Sequence, residues 1–118
     1  MTQLVVMLST GKGSWAHVAK LISQSNFDDI IIITNSFGKE KFTLSKPHTM
    51  IVADFDTSLE QLESMLQEQL KPVIKGTQVG LNMVSGTGKE HMALLSALLK
   101  TGVGVRLVVA GENDFKEL

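Results

Sequence analysis

The sequence predicts an α/β fold: a mostly parallel, five-stranded sheet of order 3-2-1-4-5 with helices on both faces. Three observations carry this. Segments such as Gln3–Leu8 and Ile30–Thr34 are continuous apolar runs, the look of strands buried on both faces. Other segments return apolar residues at helical spacing. The two kinds alternate along the chain, which is the pattern of parallel strands joined by crossover helices.

The first strand, Gln3 to Leu8, ends in Ser9-Thr10-Gly11-Lys12-Gly13-Ser14. Trp15, Val18, Ala19 and Ile22 then recur at helical spacing, with Ser14 placed to cap that helix. Asp28-Asp29 precede the second strand, Ile30 to Thr34, whose β-branched run favours a pleated surface. Asn35 to Pro47 is mixed and predicts a short helix or an irregular excursion. Thr49 to Phe55 is the third strand. Asp56 or Thr57 is placed to cap the next helix, with Thr57 and Glu60 at capping-box spacing. Leu59, Leu62, Leu66 and Leu70 form its buried stripe, and Pro72 stops it. Val79 to Val84 is the fourth strand and runs into Ser85-Gly86-Thr87-Gly88-Lys89-Glu90, where Thr87 and Glu90 form a second capping-box pair. The helix Lys89 to Thr101 carries Met92, Leu94, Leu95, Leu98 and Leu99, so it is apolar on most sides. Gly102 supplies a left-handed stop, and Val103 to Ala110 is the fifth strand. With no internal repeat, low-complexity segment or linker, residues 1–118 are expected to form one domain.

Composition narrows the function classes. Hydrophobic residues make up 43% and charged residues 19%, the latter below the ~25% of ordinary soluble domains. A chain this rich in core and poor in solvated surface is not a disordered one, and part of its surface is expected to meet a second copy. Lys+Arg 11 against Asp+Glu 12 gives a net charge of −1, which argues against duplex nucleic acid as the partner. Cys 0 excludes disulfides, thiol nucleophiles and thiolate metal sites. No apolar run approaches a membrane span, and no basic segment followed by an apolar one opens the chain. A cytoplasmic location without membrane partners is the expectation.

In an open parallel sheet, ligands bind at the carboxyl ends of strands where the strand order reverses. Order 3-2-1-4-5 puts that point between strands one and four, the two that end in Gly/Ser/Thr/Lys loops. Each loop leads into a helix N-terminus, where unpaired N–H groups and the dipole favour an anion. Gly11, Gly13, Gly86 and Gly88 permit close approach to the backbone. Ser9, Thr10, Ser14, Ser85 and Thr87 offer hydroxyls, and Lys12 and Lys89 offer charge. Such turns are also rich in Gly and Ser for purely conformational reasons, but two of them predicted side by side point to an anion site. Neither is a standard nucleotide motif. Val84 stands where a P-loop needs its first glycine and Glu90 where it needs Ser or Thr. Ala16 stands where a dinucleotide-binding loop needs its third glycine.

The stretch Asn82-Met83-Val84-Ser85-Gly86-Thr87-Gly88-Lys89-Glu90-His91-Met92 resembles the signature of the CRISPR-associated Rossmann-fold (CARF) domains. There an apolar strand runs into a Gly-Thr-Lys type loop and then a Met-containing helix. The family's other ligand loop follows strand one and is rich in Ser, Thr and Gly, as Ser9 to Gly13 is here. Gly88 stands as an extra residue before Lys89, and the segment between strands two and three is short. The resemblance implies a Rossmann-like three-layer sandwich that forms a homodimer and binds a cyclic oligoadenylate, a small cyclic oligonucleotide, across its two-fold axis. It implies either a sensor or a ring nuclease of CRISPR antiviral signalling. In the second case the ribose 2′-OH attacks the adjacent phosphate with no metal or cofactor. Carried over, Ser9, Thr10 and Lys89 would contact the reacting phosphate. Gly11, Lys12, Gly13, Ser14, Ser85, Gly86, Thr87, Gly88 and His91 would line the ligand. Two other readings stand beside it: a regulatory or interaction subunit without catalysis, and an enzyme binding a mononucleotide or sugar phosphate in the same crevice.

His17, His48 and His91 share no metal-ligand spacing, so no metal site is expected. His91, one turn into its helix, is placed either towards the ligand or at the surface. Trp15 fits the core through its spacing with Val18 and Ile22, and alternatively a stack on an adenine. The acidic stretch Asp54 to Glu68 reads as a solvated helix face.

Overall fold

Along the chain the elements are β1 (Gln3–Leu8), α1 (Ser14–Gln24), β2 (Asp29–Thr34), α2 (Ser36–Lys41), β3 (Thr49–Val52), α3 (Leu59–Leu70), β4 (Gln78–Asn82), α4 (Gly88–Lys100), β5 (Gly104–Val109) and β6 (Lys116–Glu117). They are seen in a computed structural model, which describes residues 2–10 and 13–118. The strands form one sheet in the order β3-β2-β1-β4-β5-β6. The first five run parallel, and only β6 lies antiparallel, against β5. The anticipated parallel core of order 3-2-1-4-5 is therefore present, with one strand more than the sequence predicted. β6 is two residues long and has no hydrophobic run to announce it.

Alternation along β1 sends its side chains to both faces. Leu4, Val6 and Leu8 meet Val18, Leu21 and Ile22 of α1, Ile30 and Ile32 of β2, and Phe42. Val5 and Met7 point the other way, into Leu62, Leu66 and Leu70 of α3 and Ala93, Leu94, Ala97 and Leu98 of α4. The result is a three-layer, Rossmann-like sandwich with α1 on one face and α3 and α4 on the other. This placement follows from right-handed crossovers: β1 to β2 moves one way across the sheet, while β3 to β4 and β4 to β5 move back. The direction changes between β1 and β4.

Several local expectations need correction. Ser14 is not the cap of α1. Gly13, at φ 81°, turns the chain into the helix, and Ser14 is already its first, buried residue. Along α1 the buried stripe is Val18, Leu21 and Ile22, whereas Ala19 faces solvent. The cap of α3 is Ser58, whose hydroxyl accepts from the Gln61 amide, rather than Asp56 or Thr57. The reason is a preceding turn. Asp54 Oδ1 accepts the Asp56 amide at 3.0 Å, so residues 54–57 are spent on that turn and the helix starts later. Strand β3 ends at Val52, short of Phe55. Asn35 to Pro47 contains a helix of six residues, α2, capped where Asn35 Oδ1 accepts the Gly38 amide. The Thr87–Glu90 capping box forms as its spacing predicts, and Gly102 takes φ +80° behind α4.

At the C-terminal end of α1, the Lys46 ammonium donates to the carbonyls of Ile22 and Ser25, both at 2.9 Å. The last carbonyls of a helix lack intrahelical partners, and its dipole favours a cation there. Lys46→Met keeps the stem and removes the donor. It is expected to cost about 1–2 kcal/mol, seen as a lower urea midpoint with an unchanged slope. A midpoint equal to wild type would show that water replaces these bonds without loss.

Candidate functional site

The loops that follow β1 and β4 meet. The Ser9 amide donates to Ser85 Oγ at 2.7 Å, Ser85 Oγ donates to the Thr10 carbonyl at 3.3 Å, and the Gly86 amide donates to that carbonyl at 2.7 Å. Pairing of β1 with β4 sets this up, because Val6 stands opposite Asn82, the last residue of β4. Ser85 is fully buried, so its hydroxyl works as a tie between loops rather than as a ligand contact.

Each helix N-terminus beside this tie has a different character. The mouth of α4 is closed: Thr87 Oγ1 accepts the Glu90 amide, and the Glu90 carboxylate accepts the Thr87 amide at 3.1 Å. Glu90 is only 6% exposed, so a negative charge already sits on this dipole. By contrast, α1 has no side-chain cap and no acid in its first turn. The first amides of a helix have no intrahelical acceptor, and here that turn begins at Ser14 behind Gly13. Ser9, only 8% exposed, stands at the end of the strand feeding that helix. Its Oγ is buried without a hydrogen-bond partner among the described residues. Buried hydroxyls are normally paired, and an unpaired one calls for an explanation.

The other anticipated residues differ in their surroundings. Thr10 is exposed and lends its carbonyl to the tie. Gly11 and Lys12 lie outside the described residues. Gly88 opens α4. Gly86 has φ +112°, a conformation that side chains rarely adopt. His91 is half-buried, with Nε2 at 2.8 Å from the Ser85 carbonyl. A carbonyl only accepts, so that nitrogen carries the proton. Lys89 is turned aside from the crevice, its ammonium donating to the carbonyls of Phe55 at 3.0 Å and of Thr57. Trp15 is half-buried and donates from Nε1 to the Ser9 carbonyl at 2.7 Å. Its ring packs against Phe37 and Phe42, each with centroids 5.9 Å away. The indole is thus a wall of the crevice.

Two features had no signal in the sequence. Asn82 donates from Nδ2 to the Val108 carbonyl at 2.8 Å and faces His17 Nε2 at 3.2 Å. The same ring nitrogen accepts the Ala110 amide at 3.4 Å. This clamp holds α1 and the ends of β4 and β5 together at the crevice edge, through residues far apart in sequence. The buried Glu90 carboxylate could be read as a cap, but not as a charge shielded from solvent. Among the described residues, no group of three or more His, Cys, Asp or Glu side chains is placed to hold a metal ion, and no helix is long and apolar enough to cross a membrane.

Compared with protein-family models, with curated proteins and with solved structures, the chain matches none.

Gly86→Ala tests the tie directly. A Cβ there would lie 2.8 Å from Glu90 Oε1 and 3.1 Å from Met7 Cγ, on a backbone at φ +112°. The expected cost is about 1–3 kcal/mol, seen as a lower melting temperature. Gly88→Ala, with open space around its Cβ, is expected to leave stability nearly unchanged.

Proposed function

We propose that this chain binds a small phosphodiester ligand, a cyclic oligoadenylate, in the crevice between the loops after β1 and β4, and that it does so as a homodimer. The observation that carries this reading is the Ser9 hydroxyl, buried without a partner at the foot of the uncapped N-terminus of α1. A phosphate oxygen there would accept from that hydroxyl and from first-turn amides, the arrangement by which helix N-termini hold anions. The closed mouth of α4 makes α1 the stronger half of the site. The CARF-like loop sequence from Asn82 to Met92 supplies the ligand class. The ligand would be sensed intact, or cleaved by its own ribose 2′-OH once that group is aligned with the phosphate. In the second case Ser9, Thr10 and the α1 amides would stabilise the charge that builds up on phosphorus. Lys89 would act after leaving its two carbonyl partners.

What supports the dimer is a surface that burial leaves unexplained. Met92 is 63% exposed and Leu99 62% exposed. They are seven residues apart on α4, with the half-buried Leu95 between them, so they form one stripe. Leu107 of β5 is also exposed and, by alternation from Val105, lies on the same side of the sheet. An apolar stripe of this kind marks an interaction surface.

Incubation with cyclic tetra-adenylate, following both binding and linear products, separates a sensor from a nuclease. Ser9→Ala is expected to leave the melting temperature unchanged or higher, because it removes an unpaired buried hydroxyl. It should weaken binding by about tenfold, about 1.4 kcal/mol. Equal binding by wild type and variant would remove Ser9 from the site.

Light scattering is expected to give twice the 12.8 kDa of one chain, with Leu99→Glu shifting the protein to the single-chain mass. A wild-type mass of one chain at micromolar concentration would overturn the dimer.

A further inference from the structure

A second concavity opens at the same edge of the sheet, beyond the ends of β2 and β3. Its volume is about 330 Å³, and its lining includes Asn35, Ser36, Phe37, Asp54, Phe55 and Asp56. That volume lies at the low end for small-molecule sites. We infer that this concavity is a pocket for an adenine base, held by stacking on Phe37 and by donation of the exocyclic amine to Asp54 or Asp56. The inference rests on the nucleotide reading above, to which it adds the base-recognising part of the same ligand.

Four observations support it. Phe37 is 61% exposed, yet its ring is braced at 5.9 Å by Trp15, so a flat face is held towards solvent. Aromatic faces in that position serve as stacking platforms for bases. Next, among the described residues the charged side chains lining the concavity are the two aspartates. Among the described residues neither is paired with a cation. The Lys89 ammonium reaches the rim at the Phe55 and Thr57 carbonyls, while the lining itself offers an amine two carboxylate acceptors. Third, the lining also carries donors. Asn35 spends its Oδ1 on the Gly38 amide, which leaves the Nδ2 hydrogens to donate, and Ser36 adds a hydroxyl. A carboxylate acceptor beside an amide or hydroxyl donor complements the adenine edge, where an amine adjoins a ring nitrogen acceptor. Uracil and hypoxanthine would instead turn a carbonyl towards a carboxylate. Finally, the concavity and the crevice share a wall, because the Trp15 that braces Phe37 also donates to the Ser9 carbonyl. Anion and base would thus sit on either side of one indole.

The test uses adenosine and inosine, which differ at the exocyclic position and carry no phosphate, with inorganic phosphate titrated separately. Backbone amide shifts of residues 35–37 and 54–56 report on the pocket, and those of 14–16 on the crevice. Adenosine is expected to move the first group and to bind about tenfold more tightly than inosine, as a site built around an amine rejects its carbonyl analogue. Phe37→Ala, which removes an exposed ring and no core contact of β2 or β3, should abolish the adenosine shifts. The double variant Asp54→Asn, Asp56→Asn should close the gap between the nucleosides, since an amide can donate to the inosine carbonyl. Equal binding of the two nucleosides by wild type, or no adenosine shift at millimolar concentration, would overturn the pocket. So would displacement of adenosine by methylammonium, which would mark a cation site. Phosphate shifts at residues 14–16 would still stand in each of those cases, and their absence would count against the crevice alone.

Discussion

The bond from the Ser9 amide to the Ser85 hydroxyl, 2.7 Å long and buried, joins two halves of the sheet that are wound in opposite directions. To one side the chain climbs from β1 through β2 to β3 under α1 and α2. To the other it returns through β4 and β5 under α3 and α4. The seam itself is the pairing of Gln3–Val6 with Val79–Asn82, and beyond it the two loops hold each other. A serine fully removed from water could not stay there without both of its bonds. Once the loops are fixed, the helix that follows each of them is aimed, and the crevice has a shape.

Charge is divided sharply along this edge. The first turn of α1 presents amides without an acid to neutralise them. The mouth of α4 is neutralised by Glu90, and the ends of β2 and β3 present two carboxylates. A net charge of −1 hides this division completely. A ligand that suited the whole edge would need an anionic part and a donor-bearing part held a few ångströms apart.

The parallel core was legible because burial on both faces forces continuous apolar runs, and Gln3–Leu8 and Ile30–Thr34 show them directly. The box of Thr87 and Glu90 was legible because it is wholly local. Ser58 was missed in favour of Thr57, since a single residue's shift depends on the Asp54 turn before it. β6 was missed because a two-residue pairing with Val108 and Val109, joined by the Arg106–Glu117 ion pair at 2.9 Å, has no hydrophobic run to mark it. At the site, the neighbourhood of the two loops could be deduced from strand order. The choice between their helix mouths was half legible: Glu90 folding back over Thr87 follows from the box, whereas Gly13 replacing Ser14 as the cap of α1 does not. Lys89 was read from its position at a helix mouth, but carbonyls from the turn before α3 claim its ammonium. Contacts between distant segments leave no periodic trace.

β6 is small, but it has a consequence for how the molecule can meet others. Lying antiparallel along the last residues of β5, it occupies hydrogen-bonding groups there that a growing sheet would offer, and it presents Lys116 and Glu117 in their place. A short, charged border of this sort resists strand-to-strand zipping. Where β6 covers β5, recognition must then be made by side chains rather than by main chain. It would read shape and apolar surface, tolerate salt, and discriminate between partners by sequence.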